Sequence, residues 1–257
     1  PAVDQHDHSS LRYVIYAGAP MYRADQKLAL QKLGPVLVQY FGLGEVTGCI
    51  TVLPTHMHSA DDADPNANIG SCGRPRTGME VAILDEQMNR VPSGTVGEIC
   101  CRGPAVFAGY FNNPEATAKA LRGGWFHTGD LGRMDDRGLL YITGRESDMY
   151  ISGGSNVYPR EVEEVLLTHP AVAEVAVLGV PDEKWGEVGV AVIVSRDASL
   201  SAEDVLQHLD GRCAKYRWPR HVFFWDALPK SGYGKITKKD IRQMLYDRGD
   251  IQPLPTL

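Results

Sequence analysis

Residues 11–16 read Leu11-Arg12-Tyr13-Val14-Ile15-Tyr16 and are closed by Ala17-Gly18-Ala19-Pro20. A short run of β-branched and aromatic residues ended by glycine and proline reads as a buried strand running into a turn. Residues 23–33 (RADQKLALQKL) follow with helical spacing and meet a stop at Gly34-Pro35. Residues 36–39 (VLVQ) then form a second short strand. Strand, helix and strand in that order are a β-α-β unit of a parallel sheet. Two strands are too few to stand alone, so the unit reads as the end of a larger α/β arrangement.

The texture changes further along. Residues 54–70 (PTHMHSADDADPNANIG) are polar and punctuated, and predict a long exposed loop. Strands are expected at 81–84 and 97–101, joined through Pro92-Ser93-Gly94 in a hairpin-like connection. A short helix with Pro114 at its start covers 114–121, and further strands cover 126–131 and 139–143. Residues 66–143 therefore read as an antiparallel, barrel-like subdomain. After Gly144 helices are expected at 159–168, 201–209 and 238–246, and strands at 172–180, 189–195 and 222–224. Ser201-Ala202-Glu203-Asp204 carries a capping box at the start of the second of these helices. The expected fold class is α/β plus α+β. Residues 1–65 would end an α/β subdomain, 66–143 form the β-rich barrel-like subdomain, and 144–257 make a small, mobile α+β domain.

Composition narrows the classes. The 257 residues carry 26 Lys+Arg against 32 Asp+Glu, a net charge of −6, which argues against a dedicated nucleic-acid binder. The five cysteines are odd in number and none are in CxxC spacing, so reduced buried thiols in a cytoplasmic protein are expected rather than a disulfide frame. No apolar run reaches membrane-spanning length and no signal peptide is visible.

Four stretches carry chemistry. In Gln39-Tyr40-Phe41-Gly42-Leu43-Gly44-Glu45, aromatics and glycines at a strand end suit a ligand approaching the backbone, and Glu45 can hold Mg²⁺. Trp125-Phe126-His127-Thr128-Gly129-Asp130 sets a carboxylate after Thr-Gly, where it can accept hydrogen bonds from a vicinal diol; an Asp capping a turn is the plainer reading of that stretch alone. Gly144-Arg145-Glu146-Ser147-Asp148 through Ser152-Gly153-Gly154 is charged and glycine-rich at a domain junction, which suits a pivot. Pro229-Lys230-Ser231-Gly232-Tyr233-Gly234-Lys235 presents Lys235 at the end of a glycine-punctuated loop, able to enter a site as a mobile cation. His56-Met57-His58 with Asp61, Asp62 and Asp64, and likewise His6-Asp7-His8, lack the spaced second half of a metal site and read as solvated loops. Lys235, Lys238, Lys239 and Arg242 read as a solvated basic face.

Taken in this order and spacing, the four stretches resemble the adenylate-forming superfamily of acyl-CoA synthetases, peptide-synthetase adenylation domains and luciferases. Gly97-Glu98, Arg102-Gly103-Pro104 and residues 109–117 (GYFNNPEAT) extend the match, which runs from about Tyr13 to Tyr246. The resemblance implies an ATP-dependent acid:CoA ligase, with ATP/AMP, Mg²⁺ and coenzyme A as its cofactors and co-substrates and a fatty or aromatic carboxylic acid as substrate. It implies that Gly18, Ala19, Pro20, Tyr40, Phe41 and Gly42 line the adenine pocket, that Asp130 and Arg145 bind the ribose hydroxyls, and that Glu45 ligates Mg²⁺. Lys235 would be the catalytic lysine of adenylation, Ser152, Gly153 and Gly154 the loop passing the pantetheine arm of CoA, and Ser147 the hinge. The segment from Gly179-Val180-Pro181-Asp182 to Trp185-Gly186-Glu187 fits the CoA ligases.

Three positions depart from the family pattern: Phe41 stands where Tyr is usual, Gly44 where Thr is frequent, and Ser147 where the pivot is usually Asp or Lys. The family's phosphate-binding loop and most of the acyl pocket are expected upstream of Pro1, so the chain is expected to be a C-terminal portion whose partner is the missing N-terminal part. An enzyme loading a carrier protein, and a non-catalytic interaction fragment, are the alternatives.

Overall fold

The strand–helix–strand opening forms as its pattern dictates. β1 (Val14–Tyr16) pairs in parallel with β2 (Leu37–Phe41), Val14 opposite Leu37 and Tyr16 opposite Gln39, with α1 (Arg23–Leu33) between them. Gly34, at φ +80°, closes α1 by donating its amide to the Leu30 carbonyl at 3.0 Å, a left-handed position that glycine takes without a Cβ penalty. β1 is shorter than the 11–16 run suggests and is not the buried strand expected: Leu11 and Tyr13 lie outside it and are exposed, and within it Ile15 is exposed while Val14 and Tyr16 are half-buried. The computed structural model describes residues 2–18, 21–232 and 234–252, and it divides into two units, residues 1–143 and 144–257.

In the first unit β3 (Thr51–Leu53), β4 (Ser71–Pro75), β5 (Glu80–Leu84), β6 (Gly97–Arg102), β7 (Phe126–Met134) and β8 (Leu140–Arg145) join the opening pair in an eight-stranded sheet of order β1-β2-β3-β4-β8-β7-β6-β5. The later pairings are antiparallel, which gives a mixed α/β architecture. β4 is the shared strand: it pairs with β3 through Arg74 and with β8 through Ser71. A Cβ on Gly73 would lie 2.0 Å from the Val52 carbonyl oxygen, so only glycine lets the two strands meet there. Between β6 and β7, α2 (Pro114–Ala120) starts with Asn113 Oδ1 accepting the Ala116 amide at 3.0 Å. Phe41, Val46, Ile50, Ile99, Cys101, Phe126 and Leu140 form the core. The 54–70 loop is more anchored than its polarity suggests. His58 is buried, with Nδ1 3.0 Å from the Pro54 carbonyl and Nε2 3.0 Å from the Tyr16 hydroxyl, so both nitrogens are occupied by protein; burial pulls its pKa down.

In the second unit, β9 (Tyr150–Ser152), β10 (Ser155–Val157), β11 (Val172–Asp182), β12 (Gly186–Ser195) and β13 (His221–Phe224) make a sheet of order β10-β9-β12-β11, with β13 parallel to β12. Helices cover both faces. Val175, Val177, Ala191 and Ile193 pack with α3 (Pro159–Leu166) and α4 (Ala202–His208), while Ala176, Leu178, Val190 and Val192 pack with α5 (Lys238–Asp247). Burial of both faces explains why β11 and β12 are near-continuous apolar runs. Gly179 and Gly189 face each other across these strands, and a Cβ on either would lie 2.3 Å from an atom of Tyr150, so the glycine pair is the slot in which that ring is seated. At α4 the capping box forms in both directions: Ser201 Oγ accepts the Asp204 amide at 3.2 Å, and Asp204 Oδ2 accepts the Ser201 amide at 3.0 Å.

Buried Glu163 on α3 ties three elements together, its Oε1 accepting the Val177 amide of β11 at 2.8 Å and lying 2.8 Å from Lys238 Nζ of α5. Glu163→Ala strands that amide and that ammonium, and is expected to destabilise this unit by about 3 kcal/mol, read as a lower urea midpoint at unchanged slope. No described helix is long and apolar enough to cross a membrane.

Candidate functional site

β2 ends in Phe41 and hands the chain to Gly42. A Cβ there would lie 2.5 Å from the Gly48 carbonyl oxygen, so the 42–48 loop folds back on itself only with glycine at its entry. The return is sealed by Gly48 donating to Leu43 O at 2.9 Å and Ile50 donating to Phe41 O at 2.7 Å. Inside the loop, a 3-10 turn (Gly44–Val46) carries Glu45. The 103–111 segment clamps this turn from outside: Tyr110 donates its hydroxyl to Glu45 Oε1 at 2.9 Å, the Phe107 amide donates to Glu45 O at 2.7 Å, and Thr47 Oγ1 donates to Ala105 O at 3.0 Å. Phe107 stands edge-on to both Tyr110 and Phe126, at 4.8 and 5.6 Å between ring centroids. Burial and the adjoining Glu45 carboxylate push the Tyr110 phenol up, so it remains a donor. With Oε1 committed to Tyr110, Oε2 remains for a hard cation, the oxygen ligand that Mg²⁺ prefers.

Gly18 follows β1 at φ +80°; because β1 and β2 are parallel, it lies at the same end of the sheet as Tyr40 and Phe41, the last residues of β2, and Gly42. Ala19 and Pro20 lie outside the described residues. Phe41 packs into the core, while Tyr40 is half-buried. Asp130 is on β7, four strand places along the sheet from β2, and is 6% exposed.

The second unit carries the remaining residues. Arg145 is the last residue of β8 and is exposed; its carbonyl accepts the Met149 amide at 3.1 Å, across a 3-10 turn (Glu146–Asp148) that holds exposed Ser147. Ser152 ends β9 opposite Ser155 of β10, and the two residues between them, Gly153 at φ +57° and Gly154 at φ +82°, make a tight hairpin turn with both centres left-handed. Gly153 donates to Trp185 O at 2.9 Å, and a Cβ on it would lie 2.5 Å from the Trp185 ring. Lys184 and Arg220 carry their cations 5.5 and 5.2 Å from the same ring. Lys235 lies on an exposed loop stapled at its base, with Ser231 donating to Lys235 O and Gly234 to Ser231 O, both at 2.8 Å. Leu228 and Ile236 root that loop in the core.

Sequence reading assigned no role to Tyr110, Glu98, His127 or Trp185, although each stands inside a quoted stretch. Tyr110 meets Glu45 across 65 positions, and no local pattern announces such a contact. Glu98 Oε2 lies 2.6 Å from Nδ1 of buried His127, and Cys100 Sγ is 3.4 Å from the same nitrogen. These three side chains offer ligand atoms within 4.8 Å of one another. Burial and the neighbouring Glu98 push the Cys100 thiol up to about 12. The geometry, rather than the thiol, disfavours a metal. The 2.6 Å separation is that of a hydrogen bond, shorter than the ~3.3 Å between two ligands of one tetrahedral zinc.

Residues 1–111 match the family described as AMP-binding enzyme, and residues 161–235 match the AMP-binding enzyme C-terminal domain. The chain is 39% identical over 254 residues to the medium/long-chain-fatty-acid–CoA ligase FadD8 of Mycobacterium tuberculosis, covering 95% of this chain and 43% of that protein. Among solved structures, the amide bond synthetase McbA from Marinactinospora thermotolerans superposes with a TM-score of 0.85 at 37% identity, over 95% of this chain and 49% of that one. The o-succinylbenzoate CoA synthetase MenE of Bacillus subtilis, in complex with its acyl-adenylate intermediate, gives 0.82 at 35%, over 91% and 46%. The chain thus spans about half the length of the relatives it matches. With a family match in each of its two units and these relatives at more than a third identity, the chain belongs to the AMP-binding enzyme family.

Proposed function

We propose that this chain serves an ATP-dependent acid:CoA ligase. In that reaction a carboxylate oxygen of the acid attacks the α-phosphorus of ATP, the bond to the pyrophosphate oxygen breaks, and acyl-adenylate and pyrophosphate result. The CoA sulfur then attacks the acyl carbon, the bond to AMP breaks, and the thiol proton passes to solvent. The observation that best supports the reading is the contrast between Asp130, buried within β7, and Lys235, exposed on its glycine-flanked loop. A buried carboxylate is fixed and suits a ribose diol, whose two hydroxyls it can accept while Arg145 donates to the sugar oxygens. A lysine on an exposed loop suits a charge that must arrive at one step and leave at the next. Attack of anion on anion needs positive charge, and Lys235 supplies it at the phosphate. Glu45, with Oε1 held by Tyr110, fits a Mg²⁺ ion, which when bound would screen the phosphates.

On this reading Gly18, Ala19, Pro20, Tyr40, Phe41 and Gly42 border the adenine, and Ser152, Gly153 and Gly154 pass the thiol arm. Residues 1–65 and 66–143 are two parts of one domain. Residues 144–257 turn about Ser147 between the half-reactions. Five free cysteines, all without a disulfide, fit a cytoplasmic enzyme. The relatives' acids, medium/long-chain fatty acids and o-succinylbenzoate, support a fatty or aromatic acid here.

Pyrophosphate release by the full-length protein, across a panel of fatty and aromatic acids with and without CoA, tests the assignment. The expected result is release that needs both acid and ATP, with the CoA thioester seen by mass spectrometry. No release with any acid overturns it. The likeness to an amide bond synthetase favours a second reading, adenylation followed by transfer to an acceptor other than CoA. Release without a thioester in the presence of CoA selects that reading.

A further inference from the structure

The ladder between β6 and β7 breaks next to Asp130. Glu98 stands opposite Leu131 and Cys100 opposite His127, so Thr128, Gly129 and Asp130 bulge out of β7 against Ile99 alone. Gly129, at the crest, has φ +71°. A bulge frees backbone groups from the ladder and re-aims the side chains it carries. Two side chains recover those groups here. Thr128 Oγ1 donates to Ile99 O at 2.7 Å and accepts the Asp130 amide at 3.1 Å. Glu98 holds the crest: Oε1 accepts the Gly129 amide at 3.3 Å, while Oε2 lies 2.6 Å from His127 Nδ1 and 3.0 Å from Arg122 Nη2. The His127 side chain is 4% exposed. A carboxylate only accepts, so it fixes the His127 proton on Nδ1.

We propose that Glu98 is a positioning residue of the nucleotide site: one carboxylate holds both the residue that enters the bulge and the amide at its crest, and so sets the aim of Asp130 toward the ribose. This rests on the reading of Asp130 as the ribose acceptor. Glu98 touches no substrate in this account; it acts through the backbone of the bulge. An uncharged amide in its place turns a donor toward Arg122 or His127, and the bulge loses one of its supports.

Calorimetric binding of AMP and of 2′,3′-dideoxy-AMP to the full-length protein separates positioning from general stability, because the analogue lacks the two hydroxyls that Asp130 would hold. Wild type is expected to prefer AMP. Glu98→Gln is expected to weaken AMP about tenfold, the loss of one good hydrogen bond to a charged group, and to leave the analogue unchanged. Glu98→Asp keeps the charge without the reach and carries the same comparison where Glu98→Gln does not fold. Equal weakening of both nucleotides, or of neither, overturns the proposal. Equal affinity of wild type for the two nucleotides overturns the ribose reading itself, and the proposal with it.

Discussion

Lys235→Ala is expected to lower acyl-adenylate formation by about 10²–10³-fold, the scale on which removal of one preorganised charge acts on a transition state. Thioester formation from supplied acyl-adenylate and CoA is expected to proceed at the wild-type rate. The asymmetry follows from the chemistry. Adenylation brings a carboxylate against a triphosphate, and a cation at the α-phosphate stabilises the charge that develops there. Thiol attack on the mixed anhydride lets AMP leave and has no such crowding of anions. The loop itself should survive the change, since Lys235 is exposed and the staple at Ser231 uses its backbone rather than its side chain. Pyrophosphate release and single-turnover thioester formation are the two measurements. If both rates fall together, Lys235 does not have the role assigned.

Gly153→Val is expected to produce the opposite split, with thioester formation down tenfold or more and pyrophosphate release without CoA unchanged. Two physical effects act at this position. The residue sits at φ +57°, where a β-branched side chain is strained by more than the ~1–2 kcal/mol of an ordinary L-residue. Its Cβ would also lie 2.5 Å from Trp185 Cε3, so the indole must move. Gly154→Ala separates the two effects: Gly154 has φ +82° but open space around its Cβ position. A loss confined to Gly153→Val points to the ring against the turn. Equal losses in both half-reactions would mean that the hairpin is only structural and passes no thiol.

The opening β-α-β unit was legible because each signal was local: helical spacing over 23–33, a Gly34-Pro35 stop and two apolar runs. The capping box at Ser201 was legible for the same reason, its two partners being three residues apart. What sequence reasoning did not reach was long-range. The β9–β10 hairpin, two strands of three residues around Gly153-Gly154, looks in sequence like a glycine-rich turn, because strands so short carry no period. Glycines 179 and 189 each resemble an ordinary strand interruption until the Tyr150 ring is found between them. His58, in a polar stretch, is buried because Tyr16 and the Pro54 carbonyl saturate its ring. At the candidate site the motifs marked Glu45 and Asp130, but not Tyr110 and Glu98, whose partners lie 65 and about 30 positions away.

The bond from Glu163 to the Val177 amide bears on how the protein behaves when heated or overproduced. β11 is the outer strand of the second sheet, eleven residues long and apolar on both faces, which is the profile of a template for pairing with another chain. One of its outward amides is already taken by a buried carboxylate, and α3 and α5, from which that carboxylate and its lysine come, lie on either face. Glu163 is in this sense a gatekeeper against fibrillar association. Variants that lose it should therefore cloud on warming at concentrations where the wild type stays clear.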